Sequence, residues 1–309
     1  MNMKVSTGMF FDKSSKMLSN VQSNLAKTQE QLTTGMQITK PSDEPVKAAG
    51  VTRLNTEIAR QTTYQDNMKT ISTRLSAEET ALTNSSDVMF RMKELAMQAA
   101  NDTLSTADRK TVAQEMTQLR DQMLSLANSQ DTNGNYLFAG SKVSQIPFKP
   151  DPKGLIVYAG DQSRMQVAVG DSRQMSLNMV GTDAFHNVVR ADGKGGNTGI
   201  GFFQSMDDLI NSVNGSDRVG IQRGLGELDQ LQQGLSNATA KLGTDQNIID
   251  SQNKVLDEML LRLKSTLSDV QDLDYTQAIT KLNKDQLALE SAQSSFAKIS
   301  KLSLFNYIN

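Results

Sequence analysis

The 309 residues hold one imidazole, His186 in AFHNVV, and no thiol. General-base work or metal ligation at His186 needs a partner that orients the ring. The neighbouring sequence supplies none, so a structural place in a loop or strand is the expectation. DTNGN, residues 131–135, begins like a calcium loop, yet the position that must be glycine in that motif is Tyr136. The stretch therefore reads as a tight turn at Asn133 and Gly134. GKGGNTGIG, residues 193–201, has glycines enough to cradle a phosphate but lacks a GK[ST] ending and a strand leading into it, and reads as a flexible loop. The adjacent carboxylates Glu78/Glu79 and Asp207/Asp208 diverge on a helix, which predicts a solvated face. Many of the 16 methionines sit at seam positions, where filling a core accounts for them better than metal binding does. No catalytic, cofactor-binding or metal-ligating residue is assigned.

Composition removes further classes. A chain with no cysteine has no disulfide framework, no thiolate nucleophile and no Cys-type zinc site. With 32 basic and 34 acidic residues, a net charge of -2 gives no reason to expect nucleic acid or an anionic membrane as partner. The start, MNMKVSTGMFFDKSSKML, does not read as a signal peptide, and no apolar run approaches the roughly 18 residues of a membrane span. These signals alone predict a cytoplasmic protein, unless it leaves by a route that reads no such peptide.

What the sequence does carry is heptads. Leu18, Val21, Leu25 and Leu32, with Thr28 in the gap, make a narrow apolar seam suited to packing against another helix. LTTGMQITKPSDEPVKAAG, residues 32–50, then interrupts it. Gly35 fits the left-handed position just past a helix end. Pro41 and Pro45 keep the residues before them out of the helical region. Ser42 and Asp43 are capping types, so a second helix is predicted from near Glu44 to about residue 100. Its register runs through Tyr64, Met68, Ile71, Leu75, Leu82, Met89 and Met92, broken at Glu78 and Ser85. Ser105 and Asp108 have capping-box spacing ahead of a third heptad helix through Val112, Met116, Leu119, Met123 and Leu126.

From Tyr136 to Val189 the period changes to two, and LIVYAG, RMQVAVG and QMSLNMVG predict short antiparallel strands. Heptads return at Leu256, Leu260, Leu263, Leu267 and Val270. After a break at residues 272–275 they resume at Leu289, Ala292, Phe296, Ile299 and Leu302. The fold class predicted is mainly α with a small β-rich insert: long antiparallel heptad helices from both ends form a rod-like bundle beside a strand-rich outer domain. The seams at the ends are too apolar for water and too narrow for a domain core, so each end helix is expected to order by packing against partners.

These segments match a known pattern. LTTGMQITKPSDEP resembles the N-terminal signature of bacterial flagellin-type axial proteins, in which a helix ends at Ser/Thr-Gly and a Pro-Ser-Asp-Asp/Glu-Pro turn follows. MKELAMQAANDT, residues 92–103, is similar to the close of their long helix, and DTNGNYLFAG, residues 131–140, to the exit into their outer domain. The ending, residues 274–308, and the PSDEP turn resemble the members that join hook to filament. A minor flagellin of the filament is the alternative, and from another class a cytoplasmic coiled-coil signalling protein, which should lack a strand insert. A secreted enzyme using the middle region is a third reading.

The resemblance implies a structural, non-enzymatic subunit without cofactors. Residues 1–40 with 275–309 would form terminal tube helices, 41–140 with 215–274 a helical rod domain, and 141–214 an outer insert. The assembly interface implied is Leu18, Val21, Leu25, Leu32, Leu289, Ala292, Phe296, Ile299, Leu302, Leu304 and Phe305, with Gly35, Pro41, Ser42, Asp43, Glu44 and Pro45 as the linker. The partners implied are like subunits in a ring, hook-associated protein 1 on the hook side, flagellin on the filament side and an export chaperone on the C-terminal helix. The place implied is extracellular, in the flagellum, reached through type III export without a cleaved signal peptide.

Overall fold

The computed structural model describes the backbone of residues 2–191 and 196–308, with side chains for 9, 11–191 and 196–298. It is mainly helical, with small antiparallel strand pairs, and divides into two compact units, residues 1–60 with 258–309 and residues 61–257.

The first unit is built on α1 (Asn2–Thr34) and α7 (Tyr275–Ile308). They run antiparallel, since Phe11 meets Phe296 and Thr28 meets Asp285. α2 (Pro45–Ala99) begins in this unit and α6 (Arg218–Gln271) ends in it. Proline as the first residue of α2 loses nothing, because its missing N–H has no partner within a helix there.

The second unit holds the main core. α2 and α6 run antiparallel here, tied by Gln65 to Asp257 (2.6 Å), Gln246 to Glu79 (2.8 Å) and the Lys93–Asp229 ion pair. The heptad residues Met68, Ile71, Leu75, Leu82, Met89 and Met92 are all buried. α3 (Thr106–Ala127) opens as its sequence predicts: Ser105 is the N-cap, accepting from the Asp108 N–H (3.2 Å) while its hydroxyl donates to Asp108 Oδ2 (2.7 Å). α5 (Phe202–Asn214) packs on α3, with Arg120 reaching Asp207 at 3.0 Å.

Between α3 and α5 the described residues form three two-stranded antiparallel sheets and the short α4 (Gly181–Ala184). β1 (Phe148–Pro150) pairs with β2 (Ile156–Tyr158), β3 (Gln166–Ala168) with β4 (Gln174–Ser176), and β5 (Val188–Ala191) with β6 (Asn197–Ile200). Phe138, Phe148, Phe185, Phe202 and Phe203 interlock with ring centroids 5.2–6.4 Å apart, edge-on everywhere except between Phe185 and Phe203, which stack. That geometry suits the aromatic quadrupole. The rings belong to the same buried cluster as the heptad residues.

Three expectations fail here. Residues 197–200, read as loop, form β6 because β5 supplies a register, Val188 opposite Ile200 and Arg190 opposite Thr198; residues 192–195 of the same stretch lie outside the described residues. Glu78 is fully buried rather than solvated, facing Arg74 one turn earlier. Asp207 and Asp208 are spent on Arg120 and Arg190. The Arg190 guanidinium in β5 also grips Glu227 of α6 with two bonds (2.6 and 2.7 Å), and the Ser205 hydroxyl adds a third (2.7 Å). Burial works to raise the Glu227 carboxyl, but the bonds from Arg190 and Ser205 outweigh it and hold the group below its ordinary range.

His186 sits between α4 and β5, its ring seated on the α6 backbone. A Cβ at Gly234 would fall 1.9 Å from its Cε1, so only glycine leaves room for the imidazole. No group of three or more His, Asp or Glu side chains able to hold a metal occurs among the described residues, and no helix there is long and apolar enough to cross a membrane.

Candidate functional site

Two features of the first unit are candidates for function: the seam of the terminal helix pair, and the joint where the chain turns from α1 to α2 and from α6 to α7.

In the seam, Leu18, Val21, Leu25 and Leu32 of α1 and Leu289, Ala292 and Phe296 of α7 were expected to pack, and of these Phe296 meets Phe11 across the helix pair. Val21, Leu25, Leu289, Ala292 and Phe296 are half-buried. Leu18 and Leu32 are likewise half-buried. These residues fall at heptad spacing on each helix, and the pair closes with the Phe11 and Phe296 centroids 5.0 Å apart. The side chains of Ile299, Leu302, Leu304 and Phe305 lie outside the described residues, although their backbone continues α7. Thr28 is fully buried in the same stripe. Its hydroxyl donates to the Asn24 carbonyl at 3.0 Å and lies 3.4 Å from Asp285 Oδ2.

Two helices cover only one stripe of each. Met9 (72 % exposed), Met17 (64 %) and Leu287 (65 %) remain on the open faces, more apolar surface than a pair of helices needs to leave in water. What the pair offers is area.

The joint is made from both ends of the sequence. Gly35 takes φ +70°, its N–H closing on the Gln31 carbonyl at 2.8 Å, the helix-ending position its sequence context predicts. Its own carbonyl accepts from the Leu273 N–H (3.0 Å), and the Gln37 N–H donates to the Gln271 carbonyl (2.7 Å). Met36 and Asp272 thus form an antiparallel bridge between two short crossings. Gln31, buried, adds a bond from its carboxamide to the Gln37 carbonyl at 2.5 Å. Asp274 starts α7 by accepting from the Thr276 and Gln277 N–H groups at 2.9 and 3.1 Å.

Among the linker residues, Pro41, Ser42 and Pro45 are exposed, and Asp43 and Glu44 are half-buried. Asp43, expected as a cap, is engaged elsewhere: its Oδ1 pairs with Lys27 of α1 at 3.1 Å and its Oδ2 is buried without a partner. A cation on the last turns of α1 competes better for a carboxylate than a backbone amide does. Lys40 reaches Glu30 (3.2 Å) and Glu44 reaches Lys47 (2.8 Å), so both sides of the PSDEP turn are pinned to adjoining helices. Gln31 was not picked out from the sequence, and residues 272–275 read only as a break between helices. Asp274 alone left a local sign there, an Asp directly ahead of a helix start.

Comparison with known proteins fits this arrangement. A family model for the bacterial flagellin N-terminal helical region matches residues 5–143, and one for the bacterial flagellin C-terminal helical region matches residues 225–308. Flagellar hook-associated protein 3 of Escherichia coli strain K12 is 29 % identical over 318 aligned positions, covering 98 % of this chain and 99 % of that one. The flagellin of Bacillus subtilis strain 168 is 23 % identical, covering 91 % of each. Among solved structures, a putative flagellar hook-associated protein from Vibrio parahaemolyticus superposes with a TM-score of 0.66 at 24 % identity, covering 74 % of this chain and all of that one, which speaks for a shared fold. Both helical regions are matched in order, and together they take in the α1–α7 seam, its joint, all of α2 and α3 and most of α6: the chain belongs to the bacterial flagellin family.

Proposed function

We infer that this chain is a structural subunit of the bacterial flagellum that forms the junction between hook and filament, assembling through α1 and α7 and catalysing nothing. The observation that carries the reading is the end-to-end alignment with a hook-associated protein 3, at higher identity than with a flagellin of comparable coverage.

In this reading residues 1–40 with 275–309 are the tube-forming part, 41–140 with 215–274 the rod part and 141–214 the outward insert. The half-buried seam supports a role for Leu18, Val21, Leu25, Leu32, Leu289, Ala292 and Phe296 in holding the helix pair together, and Ile299, Leu302, Leu304 and Phe305 extend the proposed interface. The apolar residues left open on the pair, Met9, Met17 and Leu287, fit neighbouring copies in a ring. Burying each such side chain contributes roughly 1.5–3 kcal/mol, enough for a modest patch repeated around a ring to hold it. Hook-associated protein 1 would meet one side of the ring and flagellin the other. An export chaperone would hold α7 until the chain reaches its extracellular place.

The test is deletion of the gene, with electron microscopy of the cells and assay of the medium. Bare hooks with unpolymerised flagellin in the supernatant are expected. Normally attached filaments would overturn the junction role and leave a minor filament subunit as the reading to pursue.

A further inference from the structure

Where the insert meets α2, one buried cation faces more carboxylates than it can neutralise. Arg74 donates from Nη2 to the carbonyls of Tyr136 and Leu137 (3.1 and 3.0 Å), and its Nη1 lies 3.5 Å from Asp131 Oδ2. Its Nε lies 3.4 Å from Glu78 Oε1, the same oxygen that accepts from the Met179 N–H at 3.2 Å. Glu78 Oε2 is buried with no partner. Asp131 has other support, the N–H groups of Asn133 and Asn135 at 2.8 and 3.0 Å, and these hold its carboxyl below the ordinary range against the effect of burial. Of the other charges nearby, Asp245 on α6, with Lys241 beside it, acts on Glu78, Lys69 lines the same cavity as Arg74 and Asp131, and the neighbouring Glu79 accepts from Gln246.

With Asp131 ionised, the Arg74 charge is already balanced, so an ionised Glu78 is a surplus negative charge in an apolar core. We propose that Glu78 is a proton-operated latch which sets how tightly residues 129–139 and 175–181 are held against α2. Neutral Glu78 leaves the site balanced and closed. On ionisation, the route to relief is admission of water, and the segment that must part is the one tied to Glu78 only through the Met179 N–H.

Burial, the largest influence, raises the Glu78 carboxyl from 4.5 to about 7, with the Met179 and Arg74 bonds pulling the other way. A folded-state value above the released one means the closed state binds the proton more tightly. Closure is therefore favoured at low pH, weakens as pH rises from 4.5 and levels off above about 7. Between pH 5 and 8 the local opening constant should rise about 70-fold by this linkage.

The experiment is amide hydrogen exchange of the full chain, corrected for intrinsic rates, at pH 5 to 8. Opening of residues 136–139 and 177–181 is expected to rise by about that factor in the wild type and to stay flat in Glu78→Gln. An equal rise in Glu78→Gln overturns the proposal. Should that variant fail to fold, carbon-13 carboxyl NMR of the wild type decides: a Glu78 midpoint near neutrality supports the latch, and one near 4.5 refutes it.

Discussion

Gly35→Ala is the sharpest probe of the joint. Gly35 sits at φ +70°, where an L residue brings its Cβ against the carbonyl oxygen and costs about 1–2 kcal/mol. The added Cβ would lie 2.9 Å from the Tyr275 hydroxyl oxygen and 3.9 Å from its Cζ. Tyr275 is 53 % exposed, so its ring can swing away and that contact adds little to the backbone strain. The loss should appear where the bridge breaks, in the N–H groups of Gln37 and Leu273, which donate to Gln271 and Gly35. Their exchange should accelerate about 5- to 30-fold, the equivalent of that penalty. Asparagine tolerates the left-handed region better, so Gly35→Asn should fall between wild type and alanine. If alanine leaves both amides unchanged, the joint is not held by this bridge. If alanine and asparagine cost the same, the argument from backbone conformation fails. Tyr275→Phe in the alanine background separates the two sources of strain, since relief by that change would assign the cost to the ring contact.

Gly50 gives the opposite sign. It lies inside α2 with nothing within 4 Å of where a Cβ would sit, so Gly50→Ala should stabilise the helix by about 0.5–1 kcal/mol, read from exchange of the surrounding amides. Arg190→Met should cost about 3–5 kcal/mol in urea unfolding by stranding Glu227, and adding Glu227→Gln should recover much of it; a cost below about 1 kcal/mol would mean the ion pair is not buried as described. Replacing Pro41 and Pro45 with alanine should change chain stability by only about 0.4–1 kcal/mol, through the unfolded state. Filament retention under shear should suffer more if the stiff PSDEP turn carries load at the junction, and unchanged retention would show that it does not.

Features that depend on neighbours a turn away were legible in the sequence. Ser105 and Asp108 cap α3 because both partners lie within four residues, and Gly35 ends α1 because the helix itself demands a left-handed residue there. The heptads located the seam for the same reason. What escaped depends on distant chain. Glu78 looks like a fault in an apolar register until the Met179 amide reaches its carboxylate and Asp131 engages the adjoining Arg74. Residues 197–200 have no alternating apolar pattern and become a strand only because β5 lies alongside. The largest omission at the candidate site was the second half of the joint, where Met36 meets Asp272 across more than two hundred residues of intervening sequence. The linker alone showed only a helix end at Gly35 and the restrictions imposed by Pro41 and Pro45.

That second crossing changes how the joint responds to load. A single extended strand is a swivel: it resists pulling, but rotation about its own bonds is nearly free. Here two strands of opposite direction pass side by side and are fastened by the Gln37–Gln271 and Leu273–Gly35 hydrogen bonds. Turning one end relative to the other must shear that pair, so the joint opposes twist as well as bend. In the ring proposed for this chain, such a joint would pass torque from one side to the other with little winding, a property that stiffening one linker could not supply.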